Sequence, residues 1–107
     1  MMKRIWVLAS LSVLVASGNA LAGNPGAGQA KSKTCAACHG ADGNSATPDF
    51  PRLAGQYADY LVKAMKDYKS GARKNAIMAP QAANLSLRDI DDLAEYFSSQ
   101  PGLAQKY

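Results

Sequence analysis

The chain has 107 residues, of which 48% are hydrophobic and 19% charged, with a formal net charge of +4. That length accommodates one small domain and leaves no room for a second. Lys3 and Arg4 belong to a stretch that reads as a removable leader; without them the twelve basic side chains fall to ten against eight acidic ones, a net of +2. So small an excess argues against nucleic acid as the partner, because that needs a clustered basic face.

Residues 1–22 have the three parts of a secretory signal: a positive start at Lys3 and Arg4, an apolar run from Ile5 to Ala16, and the small-x-small site Ala20-Leu21-Ala22. A membrane anchor is the competing reading. It needs roughly 20 apolar residues, and this run is shorter and is broken by Ser17, Gly18 and Asn19. The expectation is a cleaved leader over 1–22 and an exported domain over 23–107, with no membrane anchor after cleavage.

The mature chain opens on Gly23 to Gly28, small residues expected to fray, and Gln29 to Ala37 lacks helix breakers and is predicted as a short helix. His39 to Gly55 reads as loop, punctuated by Gly40, Gly43, Pro48, Pro51 and Gly55. Tyr57 to Ser70 is predicted helical, since Tyr57, Tyr60, Leu61, Ala64, Met65 and Tyr68 recur at helical spacing and Gly71 supplies a stop. Ala72 to Asn84 reads as a second irregular stretch carrying Met78 and Pro80. The last helix follows Ser86, which can cap, with Asp89 placed for a capping box and Leu85 and Ile90 for a hydrophobic staple. Its predicted buried stripe is Leu87, Ile90, Leu93, Ala94 and Phe97, and Pro101-Gly102 ends it. No segment reads as a strand, so the fold class expected is all-α, with three to four short helices. Helices this few bury little apolar area, and domains of this size often need a disulfide or a metal centre as a staple.

Cys35-Ala36-Ala37-Cys38-His39 is a C-x-x-C-H sequence, the pattern of covalent haem c attachment. The two thiols can reach two vinyl groups on one side of a porphyrin, and the adjoining His can then lie beneath the iron. Three readings compete. A disulfide would suit an exported chain, a redox dithiol wants a βαβ context that is missing, and structural zinc needs four ligands where Cys35, Cys38 and the single histidine of the chain make three. One covalent haem, with iron held by His39, fits best. Its two propionates would bring the net charge of the mature chain near zero.

A sixth ligand that serves electron transfer is a thioether, because Met opposite His raises the potential. Met65 lies on the apolar stripe of the middle helix, where filling the core is the ordinary role. Met78 sits in the second irregular stretch, flanked by Ile77 and Pro80, and is the expected axial ligand.

These residues resemble class I c-type cytochromes, and more closely the soluble bacterial kind similar to one half of the dihaem cytochrome c-four group. The resemblance runs through CAACHGADGNS at 35–45, PRLAGQ at 51–56, SGARKN at 70–75, IMAP at 77–80 and LSLRDIDDLAEYFSSQ at 85–100. It implies the small class I cytochrome c fold wrapped around one haem, thioether links at Cys35 and Cys38, and iron ligands His39 and Met78. It further implies Pro51 as the residue whose carbonyl accepts the second ring nitrogen of His39, and Gly28 as the point where the first helix crosses the last near Tyr96 and Phe97. The only tryptophan, Trp6, lies in the leader, so Arg52, Gln56 and Tyr57 are the candidates for holding the propionates.

The function implied is that of a periplasmic one-electron carrier, not an enzyme and most simply a monomer. Its redox partners would be a quinol–cytochrome c reductase, a terminal oxidase or a periplasmic dehydrogenase. Two alternatives stay open: a dedicated electron-accepting subunit of a dehydrogenase or sulfur-oxidising complex, and a haem enzyme or gas sensor with an open sixth position. Lys33, Arg73 and Lys74 are the candidates for a basic docking rim.

Overall fold

Asn24 and Pro25 start the first helix. The Asn24 side chain accepts from the Ala27 amide at 2.9 Å, and Pro25, which lacks an N–H, occupies the first helical position, where that group would have no partner. The computed structural model describes residues 23–102, together with Ala9, Ser10 and Ser12; the expected leader falls almost wholly outside them. Among the described residues the regular structure is five helices and no strand: α1 (Pro25–Lys31), α2 (Lys33–His39), α3 (Ala58–Ser70), α4 (Met78–Ala83) and α5 (Leu87–Ser98). The all-α class stands, with one helix more than the three to four expected.

The start expected to fray is therefore ordered, because the Asn-Pro pair is a helix-start signal. The single helix expected over Gln29 to Ala37 is two helices meeting at Ser32, whose hydroxyl donates to the Gln29 carbonyl at 2.7 Å and competes with the helical ladder. A further helix, α4, stands inside the stretch expected to be irregular.

The helices pack α1 on α5, α3 on α5 and α4 on α3. Gly28 makes the α1–α5 crossing close: a Cβ there would run into the Asp92 carbonyl and lie 2.8 Å from Tyr96 Cβ. Asp92 fastens the same crossing. Only 2% exposed, it accepts from the Asn24 amide at 2.7 Å and the Lys31 ammonium at 2.6 Å, with Arg88 Nε at 3.4 Å.

Ser86 and Asp89 form the expected capping box at the head of α5, the Asp89 amide donating to Ser86 at 3.0 Å and the Ser86 amide to Asp89 at 2.9 Å. Ile90, Leu93, Ala94 and Phe97 are buried as expected, but Leu87 is 61% exposed, because it lies in the first turn, ahead of the packed stretch. On α3 the buried stripe is centred on Leu61, with Ala58, Val62 and Met65 half-buried beside it. Tyr57 and Tyr60 face outward instead, which lets their hydroxyls reach water. Arg73 lies 4.8 Å from the Tyr68 ring centroid and donates to the Tyr60 hydroxyl at 3.4 Å.

Two predictions follow from this crossing. Gly28→Ala should lower stability by about 1–3 kcal/mol, the usual cost of overpacking, read as a lower guanidinium midpoint at unchanged slope. Asp89 is held down to about 2 from the ordinary 3.8 by the Ser86 amide first and Lys31 next, and Asp92 is lowered chiefly by the Asn24 amide. Both carboxylates are easier to protonate when unfolded, so their stabilisation is whole above pH 3.8 and lost below it, for Asp89 as the pH falls through about 2. Acid titration of helicity should show a fall confined to that limb, with a smaller drop in an Asp89→Asn protein.

Candidate haem site

In an α-helix, positions i, i+3 and i+4 share a face. The sequence Cys35, Cys38, His39 has that spacing, and all three residues lie in α2. Helix geometry thus aims both sulfurs and the imidazole to one side, and Gly40, at φ 85°, ends the helix directly after them.

Both cysteines are half-buried free thiols. Cys35 packs against the core cluster, and burial pushes its thiol up from the ordinary value, opposed by a hydrogen bond from Thr34. Cys35 and Cys38 would hold a haem as thioethers, the vinyl groups of the haem supplying the carbons to which the two sulfurs are joined.

His39 is buried, 7% exposed, with Nδ1 2.8 Å from the Pro51 carbonyl oxygen. A carbonyl only accepts, so Nδ1 carries the hydrogen and the Nε2 lone pair is left for a metal. The loop bearing Pro51 is fixed from both sides. The Leu53 and Ala54 amides donate to the Gly43 carbonyl at 2.8 and 3.2 Å, and the Gly55 amide donates to the Phe97 carbonyl at 3.0 Å. Gly43, at φ 85°, has no room for a side chain: a Cβ would lie 2.8 Å from the Phe97 ring and from the Ala54 nitrogen. The Tyr96 hydroxyl donates to the Ala41 carbonyl at 2.7 Å and pins the loop where it leaves α2.

Met78 opens α4, half-buried, rather than lying in a loop. Asn75 starts a helix there: its side-chain oxygen accepts from the Ile77 and Met78 amides, both at 2.9 Å. Asparagine hydrogen-bonding the backbone two residues on is a recognisable turn signal. Met65 is half-buried against the Leu61, Leu93 and Phe97 cluster, a core position.

Among the propionate candidates Arg52 is exposed and lines, with Ser45, Thr47 and Pro51, a groove of about 380 Å³. The Gln56 side chain is engaged by the Tyr57 amide at 2.9 Å.

The residues present fit a haem. The imidazole tautomer leaves the metal-binding nitrogen available, both thiols are free of a disulfide, and Cys35, Leu53, Met65 and Leu85 are apolar residues that each pack on the core while remaining half-exposed. Replacing both Cys35 and Cys38 with Ser should remove both covalent links: haem that survives acid–organic extraction in the parent should then be released. Retention of haem by the doubly substituted protein would count against thioether attachment.

Residues 23–101 match the Cytochrome c family model. Cytochrome c4 of Pseudomonas aeruginosa is 54% identical over 79 residues, covering 74% of this chain and 39% of that protein. Cytochrome c-554(548) of Halomonas halodenitrificans is 49% identical over 82 residues, covering 74% of this chain and 99% of that protein. The solved structure of reduced recombinant cytochrome c4 from Pseudomonas stutzeri superimposes with a TM-score of 0.73 at 46% identity, over 77% of this chain and 48% of that one. The chain thus spans less than half the length of the cytochrome c4 relatives it matches and nearly all of the shorter relative.

Proposed function

The chain belongs to the cytochrome c family, and from that premise we propose that it is a periplasmic one-electron carrier whose single haem c is joined through Cys35 and Cys38 and ligated by His39 and Met78. The observation that carries this reading is the 2.8 Å contact between His39 Nδ1 and the Pro51 carbonyl within a C-x-x-C-H helix. It fixes the imidazole in the one tautomer that can bind iron through Nε2.

Bound there, haem iron supplies a ferric/ferrous couple that gains or loses one electron. Everything else falls to the chain. The two sulfurs hold the macrocycle on the α2 face, His39 is oriented by a carbonyl that cannot move without moving the 53–55 turn, and Met78 offers a soft sulfur that favours the reduced state.

Export is supported by the leader pattern over 1–22, and no helix among the described residues is long and apolar enough to cross a membrane. Work as a monomer with a quinol–cytochrome c reductase, a terminal oxidase or a periplasmic dehydrogenase belongs to the same reading. Lys33 and Lys74 are exposed and suited to meeting an acidic partner. Arg73, the third residue of the expected rim, is partly taken up by Tyr60 and Tyr68.

The test is a redox titration of the haem-loaded protein followed by visible spectra. Met78→Ala should abolish the sulfur-to-iron charge-transfer band, admit carbon monoxide to the reduced iron and lower the midpoint potential. Met65→Ala should keep the band and cost about 1–3 kcal/mol of stability, less than full burial would because Met65 is half-exposed. The opposite pattern would move the ligand to Met65. Carbon monoxide binding by the unaltered protein would favour a haem enzyme or gas sensor.

A further inference from the structure

α4 is six residues long and buries only Ala82. Helices so short are not stable by themselves, and one buried alanine contributes little packing, so beside its contact with α3 α4 depends on polar tethers at its ends. At the head, three successive amides converge on one residue: Ile77 and Met78 donate to the Asn75 side-chain oxygen at 2.9 Å each, and Ala79 donates to the Asn75 carbonyl at 2.9 Å. At the tail, the Lys69 ammonium reaches from α3 to the Ala83 carbonyl at 3.1 Å and the Leu85 carbonyl at 2.6 Å. The Leu85 amide donates to Ala82 at 3.1 Å, and the Asn84 side chain donates to Pro80 at 3.2 Å. Of these side chains only Lys69 comes from another helix.

We propose that Asn75 and Lys69 are positioning residues for the axial thioether: Asn75 sets the backbone at Met78 itself, and Lys69 fixes α4 against α3, so that together they set the fraction of protein in which the Met78 sulfur is on the iron. This rests on the reading of Met78 as ligand. Residues behind a metal ligand commonly change metal-site properties 10–100-fold when lost, and a tether that fails lets α4 swing away while the thioether and histidine links on the α2 side persist. The ligand-off fraction then governs how tightly an outside ligand binds, since apparent affinity scales with the competent fraction.

Imidazole added to the ferric haem-loaded protein measures that fraction. Losing an end cap of ordinary size raises the open fraction about fivefold, so Asn75→Ala should bind imidazole about fivefold more tightly, with a weakened charge-transfer band and a lower midpoint potential. Asn75→Asp keeps the acceptor oxygen and should restore most of all three. Lys69→Met keeps the stem, removes the ammonium and should move the readings in the same direction. Ser86→Ala supplies the structural comparison: it removes a cap of the same kind from α5 and should lower stability while leaving imidazole affinity unchanged. If Met78→Ala removes the band while Asn75→Ala and Lys69→Met bind imidazole as the parent does, the positioning role is wrong and the ligand reading survives. The role is also wrong if Ser86→Ala shifts imidazole affinity as much as Asn75→Ala. If Met78→Ala keeps the band, both fall together.

Discussion

A buried imidazole with one nitrogen committed to a carbonyl is the constraint around which this chain is arranged. His39 can be buried only if Nδ1 has a partner, because an unsatisfied polar nitrogen in an apolar site is costly. Pro51 provides that partner at 2.8 Å, and the loop that presents it is anchored at Gly43 and at Phe97. The α5 core and the orientation of the imidazole are thereby one mechanical unit: Phe97 is 2% exposed within the core, and its carbonyl holds the Gly55 amide.

The second fixed point is the crossing of α1 over α5. A domain this small has little apolar area to bury, and the crossing adds close backbone contact at Gly28 and a buried carboxylate, Asp92, whose partners come from both ends of α1 and from α5 itself. That junction fixes α1, and α1 leads through Ser32 directly into α2, which carries the thiols. Stability and cofactor geometry therefore share their supports.

The helices α2 and α4 are held in different ways. For α2 the support is covalent chain plus core, in a helix that carries Cys35, Cys38 and His39 together. For α4 it is packing on α3 and hydrogen bonds to Asn75 and Lys69. Exposed hydrogen bonds are individually modest, so α4 is the less firmly held of the two.

What the sequence settled by itself was local. C-x-x-C-H spacing marks the haem attachment site, although the sequence reading ends its helix at Ala37 and only the structure carries α2 through His39; the Ser86–Asp89 box fixes the start of α5, because both signals lie within one turn of chain. The α5 stripe was legible for Ile90, Leu93, Ala94 and Phe97, and the α3 stripe for Leu61 and Met65. The sequence also carries local signals for α1 at Asn24-Pro25 and for α4 at Asn75. Tertiary structure alone decided that Leu87, Tyr57 and Tyr60 lie outward, since a stripe read from periodicity has no way of knowing where the facing helix ends. It alone joined Asp92 to Asn24 and Lys31, and Lys69 to Ala83 and Leu85, because partners so far apart in the chain meet only when helices cross. The resemblance supplied Pro51 as partner of His39 in advance; a backbone carbonyl is carried by every residue, so no side-chain pattern marks it, and only the folded loop brings it to 2.8 Å from the imidazole.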